Sequence, residues 1–246
     1  VLRCLFLPST YLLVTHGSRD LRYQRSIAQL ADRVQQKLSA KVGMAVLECA
    51  PVELHQQIER FCQRCNPHDE IEIVPLFLLP GVHVKEDIPE QIEIARSRLP
   101  VKLSVTPHLG SSDQLTKLLA QRFSSRSADA RILLSHGSRR PQGNLPIEQL
   151  AEQLAAIAAF WSVPPNLETS VQTLVQQGCQ EIAILPYFLF SGGITDAIAQ
   201  QIDQLSQRFS GINLKLLTPL EVSDDLVDLI VQFIALQNFS KSVIPT

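Results

Sequence analysis

The chain carries one sequence pattern twice. Tyr11-Leu-Leu-Val-Thr-His-Gly-Ser-Arg19 returns 120 residues later as Arg131-Ile-Leu-Leu-Ser-His-Gly-Ser-Arg139. Glu70-Ile-Glu-Ile-Val-Pro-Leu-Phe-Leu78 returns 111 residues later as Glu181-Ile-Ala-Ile-Leu-Pro-Tyr-Phe-Leu189. The motif order is kept while the offset falls, so the second copy has lost a short segment after its first motif. A period near 120 residues is the size of a domain, usually ~100–150 residues. It is far longer than the ~20–50-residue unit of a solenoid. The 246-residue chain therefore divides into two homologous domains, 1–124 and 125–246, with the polar stretch Ser124-Ser-Arg-Ser-Ala-Asp129 as linker.

Each copy alternates strand and helix. In the first, Tyr11–Thr15 is a short apolar, β-branched run closed by a His-Gly turn. Ile27, Leu30, Ala31, Val34 and Leu38 then recur at helical spacing between Ser26 and Leu38. The same reading gives strands at Val42–Glu48, Ile71–Leu79 and Val101–Thr106. It gives helices at Leu54–Cys65, Ile88–Arg98 and Gln114–Phe123. A βαβαβαβα order requires right-handed crossovers and a four-stranded parallel sheet flanked by helices. The fold class is α/β, two tandem doubly wound domains.

Open parallel sheets bind ligands beyond the carboxyl ends of their strands. Three coordination-capable residues fall there in the first copy: His16 after strand one, Glu48 at the end of strand two and His83 after strand three. With neighbouring strands ~4.8 Å apart, the three can share one small ion or one acid–base centre. Gly17 and Gly81 are read as tight turns beside the two histidines. His55, His68 and His108 lack such placement and are read as surface or structural. In the second copy His136 matches His16. Aligning Pro51-Val-Glu-Leu54 with Pro164-Pro-Asn-Leu167 puts Trp161 opposite Glu48, and Gly193 or Ile194 falls opposite His83. One complete site is expected, in the first half and facing a degenerate second half.

The first copy's THGSRD, the strand-ending LECAP and the stretch VPLFLLPGVHVKEDIP resemble the sirohydrochlorin chelatase family, in its long two-domain form. The resemblance implies ATP-independent insertion of Co(II) or Fe(II) into sirohydrochlorin, on the way to sirohaem and cobalamin. It implies that His16 and His83 are the metal-handling and proton-accepting residues, with Glu48 the strand-two glutamate beside them. The metal is then a substrate and no prosthetic group is needed. The residue types suit this chemistry. Imidazole and carboxylate bind Fe(II) or Co(II) reversibly, and histidine accepts protons near neutral pH. Arg19, recurring as Arg139, is expected to grip substrate carboxylates, with Lys85, Ser18 and Gly81 also lining the substrate. Arg22 and Arg25 are read as solvated helix surface.

Composition narrows the alternatives. With 22 basic and 24 acidic residues the chain has no electrostatic footprint for nucleic acid. Its longest purely apolar stretch, Leu154–Trp161, falls far short of the ~20 residues of a membrane span. Five irregularly spaced cysteines suit reduced thiols in a cytoplasm, and the Cys62/Cys65 pair is read as buried or half-buried thiols on a helix. Val1–Pro8 lacks the basic region and cleavage site of a signal peptide. A monomer with an internal pseudo-dimer is expected, because duplication supplies what a homodimer would. Two other readings use the same residues: a non-catalytic tetrapyrrole or metal carrier, and a histidine-dependent phosphatase.

Overall fold

A computed structural model of the chain describes residues 10–66, 69–125 and 127–243. The expectations for Val1–Pro8, Cys4 and His68, and for Arg126 within the linker, lie outside these residues. The elements run β1 (Thr10–Thr15), α1 (Leu21–Leu38), β2 (Lys41–Val46), α2 (Leu54–Cys62), β3 (Glu70–Pro75), α3 (Ile88–Arg96), β4 (Lys102–Val105) and α4 (Asp113–Ser124). The second half repeats them as β5 (Ala130–Ser135), α5 (Leu145–Gln153), β6 (Ile157–Phe160), α6 (Leu167–Gln176), β7 (Glu181–Pro186), α7 (Gly193–Arg208), β8 (Asn213–Leu216) and α8 (Asp224–Val243).

The described residues form two four-stranded sheets, ordered β2-β1-β3-β4 and β6-β5-β7-β8, and every pairing among them is parallel. The expected α/β architecture is therefore present twice. Both first strands are central, which explains why β1 is buried along its whole length. Leu12 and Val14 pack with Ile58 of α2 and Ile88, Ile92 and Ala95 of α3. Tyr11 and Leu13, pointing the other way along a pleat of period two, serve the opposite face. There the Tyr11 hydroxyl meets Asn238 of α8 at 3.4 Å. Burial and the nearby Glu72 carboxylate push the Tyr11 phenol up to about 12, so it stays a neutral core residue.

Helix ends follow local chemistry. Asp20 caps α1, its carboxylate accepting from the Arg22 amide at 2.8 Å, so the helix begins at Leu21 rather than at Ser26. The same carboxylate holds the Arg22 guanidinium, which is thereby spent on the helix end. β3 ends at Pro75 rather than at Leu79, because beyond it Phe77 and Leu78 turn to meet Gly110. The Gly110 amide donates to the Phe77 carbonyl at 2.9 Å, and a Cβ on Gly110 would stand 2.0 Å from the Leu78 carbonyl oxygen. Cys62 is buried and its thiol is pushed up to about 11 by burial, while Cys65 donates to the Phe61 carbonyl. Both are free thiols.

The packing units differ from the halves drawn on the repeat. One unit gathers the chain up to Ser112 together with the segment from Val222 onward, and the other is Asp113–Glu221. Each half thus gives its last helix to the other half's sheet. In the first unit, Arg33 of α1 donates to the Val222 carbonyl at 2.8 Å, and Arg33 and Lys37 pair with Asp224 and Asp228 of α8. In the second, Arg122 of α4 binds the carbonyls of Thr218 and Leu220, at 3.0 and 2.9 Å. The two helices carry similar apolar faces, Leu115, Leu118, Leu119 and Phe123 against Leu226, Leu229, Ile230 and Phe233. Nothing local dictates which sheet each must cover.

The buried centre of β1 sets a stability expectation. Leu12→Ala, at a position with no exposed surface, is expected to cost roughly 2–5 kcal/mol, whereas Leu21→Ala, on an exposed side chain, should change stability by less than about 0.5 kcal/mol. Urea unfolding midpoints of the two variants check this.

Candidate metal centre

The site is built where three adjacent strands end. β1 lies between β2 and β3, and its parallel ladder to β2 continues past the strands. The Leu47 amide donates to the Thr15 carbonyl at 2.9 Å, and the Glu48 amide to the His16 carbonyl at 2.8 Å. His16 and Glu48 are thus locked side by side through their own backbones. Gly17 makes this approach possible. It sits at φ +100°, and a Cβ there would lie 2.0 Å from the Glu48 carbonyl oxygen. The Tyr23 hydroxyl of α1 accepts from the Gly17 amide at 3.4 Å and steadies the turn.

His83 arrives from the far side of β1. The chain leaves β3 and winds His83–Asp87 as a single π-helical turn, with α3 continuing from Ile88. Helical structure therefore begins five residues before the expected start at Ile88. Gly81 opens this turn, its carbonyl accepting from the Val84 and Lys85 amides. The expected turn is present, but the expected close backbone approach is not, and the turn does not require glycine. Gly81 does not adopt a positive φ, and a Cβ added there would meet nothing within 4 Å. Its bareness leaves open space rather than relieving strain.

The three side chains converge. One donor atom from each of His16, Glu48 and His83 lies within 4.8 Å of the others, and this is the one such group among the described residues. The Glu48 carboxylate stands between the rings, Oε2 at 3.8 Å from His16 Nε2 and Oε1 at 3.8 Å from His83 Nε2. The rings are 4.9 Å apart and nearly perpendicular. The Phe77 ring stands 6.4 Å from His16 and 6.2 Å from His83. First-row divalent ions sit about 2.0–2.2 Å from such donors, as zinc does. Donors of one ion then lie roughly 3–4 Å apart, so a small side-chain rotation closes this set on a cation. About half of the His16 and Glu48 side chains and a third of His83 remain open to solvent. Ion and ligand can therefore enter and leave.

Further residues bear on the centre that the sequence reading did not single out. Asp87 Oδ2 lies 2.6 Å from His83 Nδ1. A cavity of about 250 Å³ beside His83 is lined by Glu48, Glu53, Asp87 and Glu90, with Gln91 at its wall. The i, i+4 spacing of His83 and Asp87 and the i, i+3 spacing of Asp87 and Glu90 were the available signals, since such pairs share a helix face. His55 is buried at the edge of this region, its Nδ1 2.9 Å from Gln91 Oε1 and 3.3 Å from Glu53. That is the structural role expected of it. His108 is half-buried, and burial followed by Lys85 lowers its pKa. Of the residues expected to line a substrate, Arg19 and Lys85 are exposed, and the Ser18 hydroxyl accepts from the Asp20 amide at 3.1 Å.

In the second half the same ladder is present with different side chains. The Trp161 amide donates to Ser135 and the Ser162 amide to His136, each at 2.9 Å. Ser162 rather than Trp161 therefore stands where Glu48 does. The expected alignment was one residue out because the loop from Trp161 to Leu167 is one residue shorter than that from Leu47 to Leu54. Counted from the ends of β3 and β7, Ile194 stands where His83 does. Of the three donors only His136 is kept.

The Gly17 turn supplies a test of this construction. Gly17→Ala is expected to strain the backbone by roughly 1–3 kcal/mol and to push Glu48 away from His16. A lower unfolding midpoint together with weaker Co(II) binding in a spectroscopic titration checks both effects.

Comparison with known proteins agrees with the geometry. The CbiX family profile matches twice, over residues 10–126 and 130–235. A sirohydrochlorin ferrochelatase of Priestia megaterium is 27% identical over 210 residues, spanning 79% of this chain and 78% of that protein. A sirohydrochlorin cobaltochelatase of the same organism is 24% identical over 222 residues, spanning 83% and 72%. In fold the chain is similar to SirB from Bacillus subtilis with Fe3+, with a TM-score of 0.77, 23% identity, and coverage of 95% of this chain and 96% of that one. Two matches of one profile, in register with the two sheets and together spanning most of the chain, place this protein in the CbiX family.

Proposed function

We propose that this protein inserts a divalent metal, Co(II) or Fe(II), into sirohydrochlorin at the His16–Glu48–His83 centre. The observation that carries the reading is the convergence of two imidazoles and one carboxylate, half open to solvent, at three neighbouring strand ends. Relatives named for iron and for cobalt insertion both support the substrate class. The donor set itself favours neither ion, since imidazole and carboxylate accept both.

The chemistry asks for three things: removal of water from the ion, transfer of the ion to four ring nitrogens, and removal of two pyrrole protons. Three neutral or singly charged donors hold the ion loosely enough to release it, whereas thiolates would retain it. The carboxylates around the neighbouring cavity, Glu48, Glu53, Asp87 and Glu90, make its potential negative and raise the local concentration of divalent cations. The histidines accept the released protons, which requires no ATP. Arg19 and Lys85 are placed in this reading as partners of substrate carboxylates, with the bare Gly81 leaving room beside them. Ser18 is placed beside them, its hydroxyl accepting from the Asp20 amide and keeping its own O–H to donate to a substrate carboxylate.

The first half is the catalytic repeat in this reading and the second a degenerate one, because Ser162 and Ile194 replace two of three donors. The chain acts as a monomer with an internal pseudo-dimer. A cytoplasmic setting suits the free thiols of Cys49, Cys62, Cys65 and Cys179. Among the described residues no helix is long and apolar enough to cross a membrane.

The test is the absorbance change of sirohydrochlorin on metallation, followed over many turnovers with Co(II) and with Fe(II). His16→Ala and His83→Ala are each expected to lower the rate at least ~100-fold, while His136→Ala should stay within about twofold of the parent. A parent protein that stops after one equivalent would be a carrier, and equal loss in all three variants would overturn the single-site reading. Arg19→Ala is expected to raise KM for sirohydrochlorin several-fold, the loss of an exposed ion pair worth up to about 1 kcal/mol, with kcat little changed.

A further inference from the structure

The two ring nitrogens of His83 have different neighbours. Nε2 faces the Glu48 carboxylate, with His16 beyond it. Nδ1 lies 2.6 Å from Asp87 Oδ2. An ionised carboxylate only accepts, so a bond of that length requires the hydrogen to sit on Nδ1. In the neutral ring this leaves the Nε2 lone pair aimed at the centre. Among the described residues His16 has no carboxylate at its Nδ1. Its Nδ1 is 3.3 Å from the carbonyl of its own neighbour Gly17, a contact at the long end of hydrogen bonding.

The backbone around Asp87 has a second peculiarity. Ile88, Ile92 and Ala95 are buried in the first core as Ile198, Ile202 and Leu205 are in the second. Ile88 lies thirteen residues beyond Pro75, whereas Ile198 lies twelve beyond Pro186. The first half therefore has one residue more between strand and helix core. The chain accommodates it as the π turn His83–Asp87, in which the Ile88 amide donates to the His83 carbonyl. The second half enters α7 without one. An i→i+5 turn is wider than the 3.6-residue α turn. It brings residues four apart closer to eclipse, and His83 and Asp87 are four apart. Counted back from the helix core, the position of Asp87 is held in the second half by Ala197, so histidine, carboxylate and extra residue are all missing there together.

We infer that Asp87 is a positioning residue. Placed by the one-residue π turn, it fixes His83 as the Nδ1–H tautomer and presents Nε2 as a metal-binding lone pair towards Glu48 and His16. The two histidines are then unequal. His83 is an oriented ligand held by a carboxylate behind it, whereas the Nδ1 of His16 meets only the Gly17 carbonyl among the described residues. The inference deepens the metal-insertion reading and rests on it for the purpose the lone pair serves, but the tautomer itself is a property of the metal-free protein.

The experiment uses the full chain, metal-free and labelled with 15N-histidine, at mildly alkaline pH where imidazoles are neutral. Long-range 1H–15N spectra identify His83 by its loss in His83→Gln. The parent is expected to show the Nδ1–H tautomer at His83. Asp87→Ala should move it to the Nε2–H form that free histidine prefers, and Asp87→Asn, whose carbonyl oxygen accepts the same bond, should restore the Nδ1–H form. Co(II) titration of the same samples should show ~10–100-fold weaker binding in Asp87→Ala and recovery in Asp87→Asn. An unchanged His83 tautomer in Asp87→Ala, or Co(II) affinity within about twofold of the parent when ligand orientation is worth ~10–100-fold, overturns the inference. Circular dichroism identical to the parent separates either result from misfolding. If sirohydrochlorin goes unmetallated while the tautomer and Co(II) affinity respond as stated, the metal-insertion reading fails and the role of Asp87 stands.

Discussion

The Glu48 amide bonded to the His16 carbonyl holds the centre together. It extends the pairing of β1 with β2 beyond the strands, His16 standing one residue past β1 and Glu48 two past β2, into a stretch where chains normally diverge into loops. Neighbouring parallel strands are spaced ~4.8 Å apart, and carrying that spacing beyond the sheet carries it into the site. Because β1 is flanked by β2 on one side and β3 on the other, a residue just past its end has neighbours on both sides. Gly17 is the necessary companion of this bond, since any side chain at φ +100° would strike the Glu48 carbonyl. Each of these features is backbone geometry, so the carboxylate and the first imidazole are placed before their side chains choose rotamers.

The duplicated half shows how little separates a site from an ordinary sheet edge. It keeps the ladder, with Trp161 and Ser162 bonded to Ser135 and His136, and its own glycine at positive φ, Gly137. What it has lost around the site is two of the three donor side chains and one residue in each of the segments that follow β6 and β7. A serine in place of Glu48 removes the charge between the rings. A helix that starts without the extra residue removes the turn on which His83 and Asp87 stand. Length differences of one residue are invisible to the hydrophobic core, which buries the same three helix positions in both halves. The core therefore tolerates the divergence, and the edge of the sheet records it.

Much of this was legible in the residues. The repeat, the alternation of strand and helix, and the placement of His16, Glu48 and His83 at strand ends all follow from motif order and hydrophobic period. Those are local properties. Element ends were less legible. The Asp20 cap lengthened α1, and the contact of Gly110 with the loop after Pro75 shortened β3. The alignment of Trp161 with Glu48 failed because proline residues were matched across loops of unequal length, whereas hydrogen-bond register, not loop composition, decides equivalence. Gly81 opens a turn that its residue type does not dictate, since neither its φ nor its surroundings require glycine.

Sequence alone determined that there are two α/β repeats and that only the first carries two histidines and a glutamate beyond its strands. Those facts are set by residue type and short-range periodicity. Three-dimensional packing decided which sheet each final helix covers, since α4 and α8 offer apolar faces of the same kind and exchange partners. It also decided that the donors meet within 4.8 Å and that Asp87 stands behind His83. A distance between residues more than thirty positions apart in the chain depends on strand order and register, and a one-residue change in helical winding moves a side chain to another face without altering any local preference.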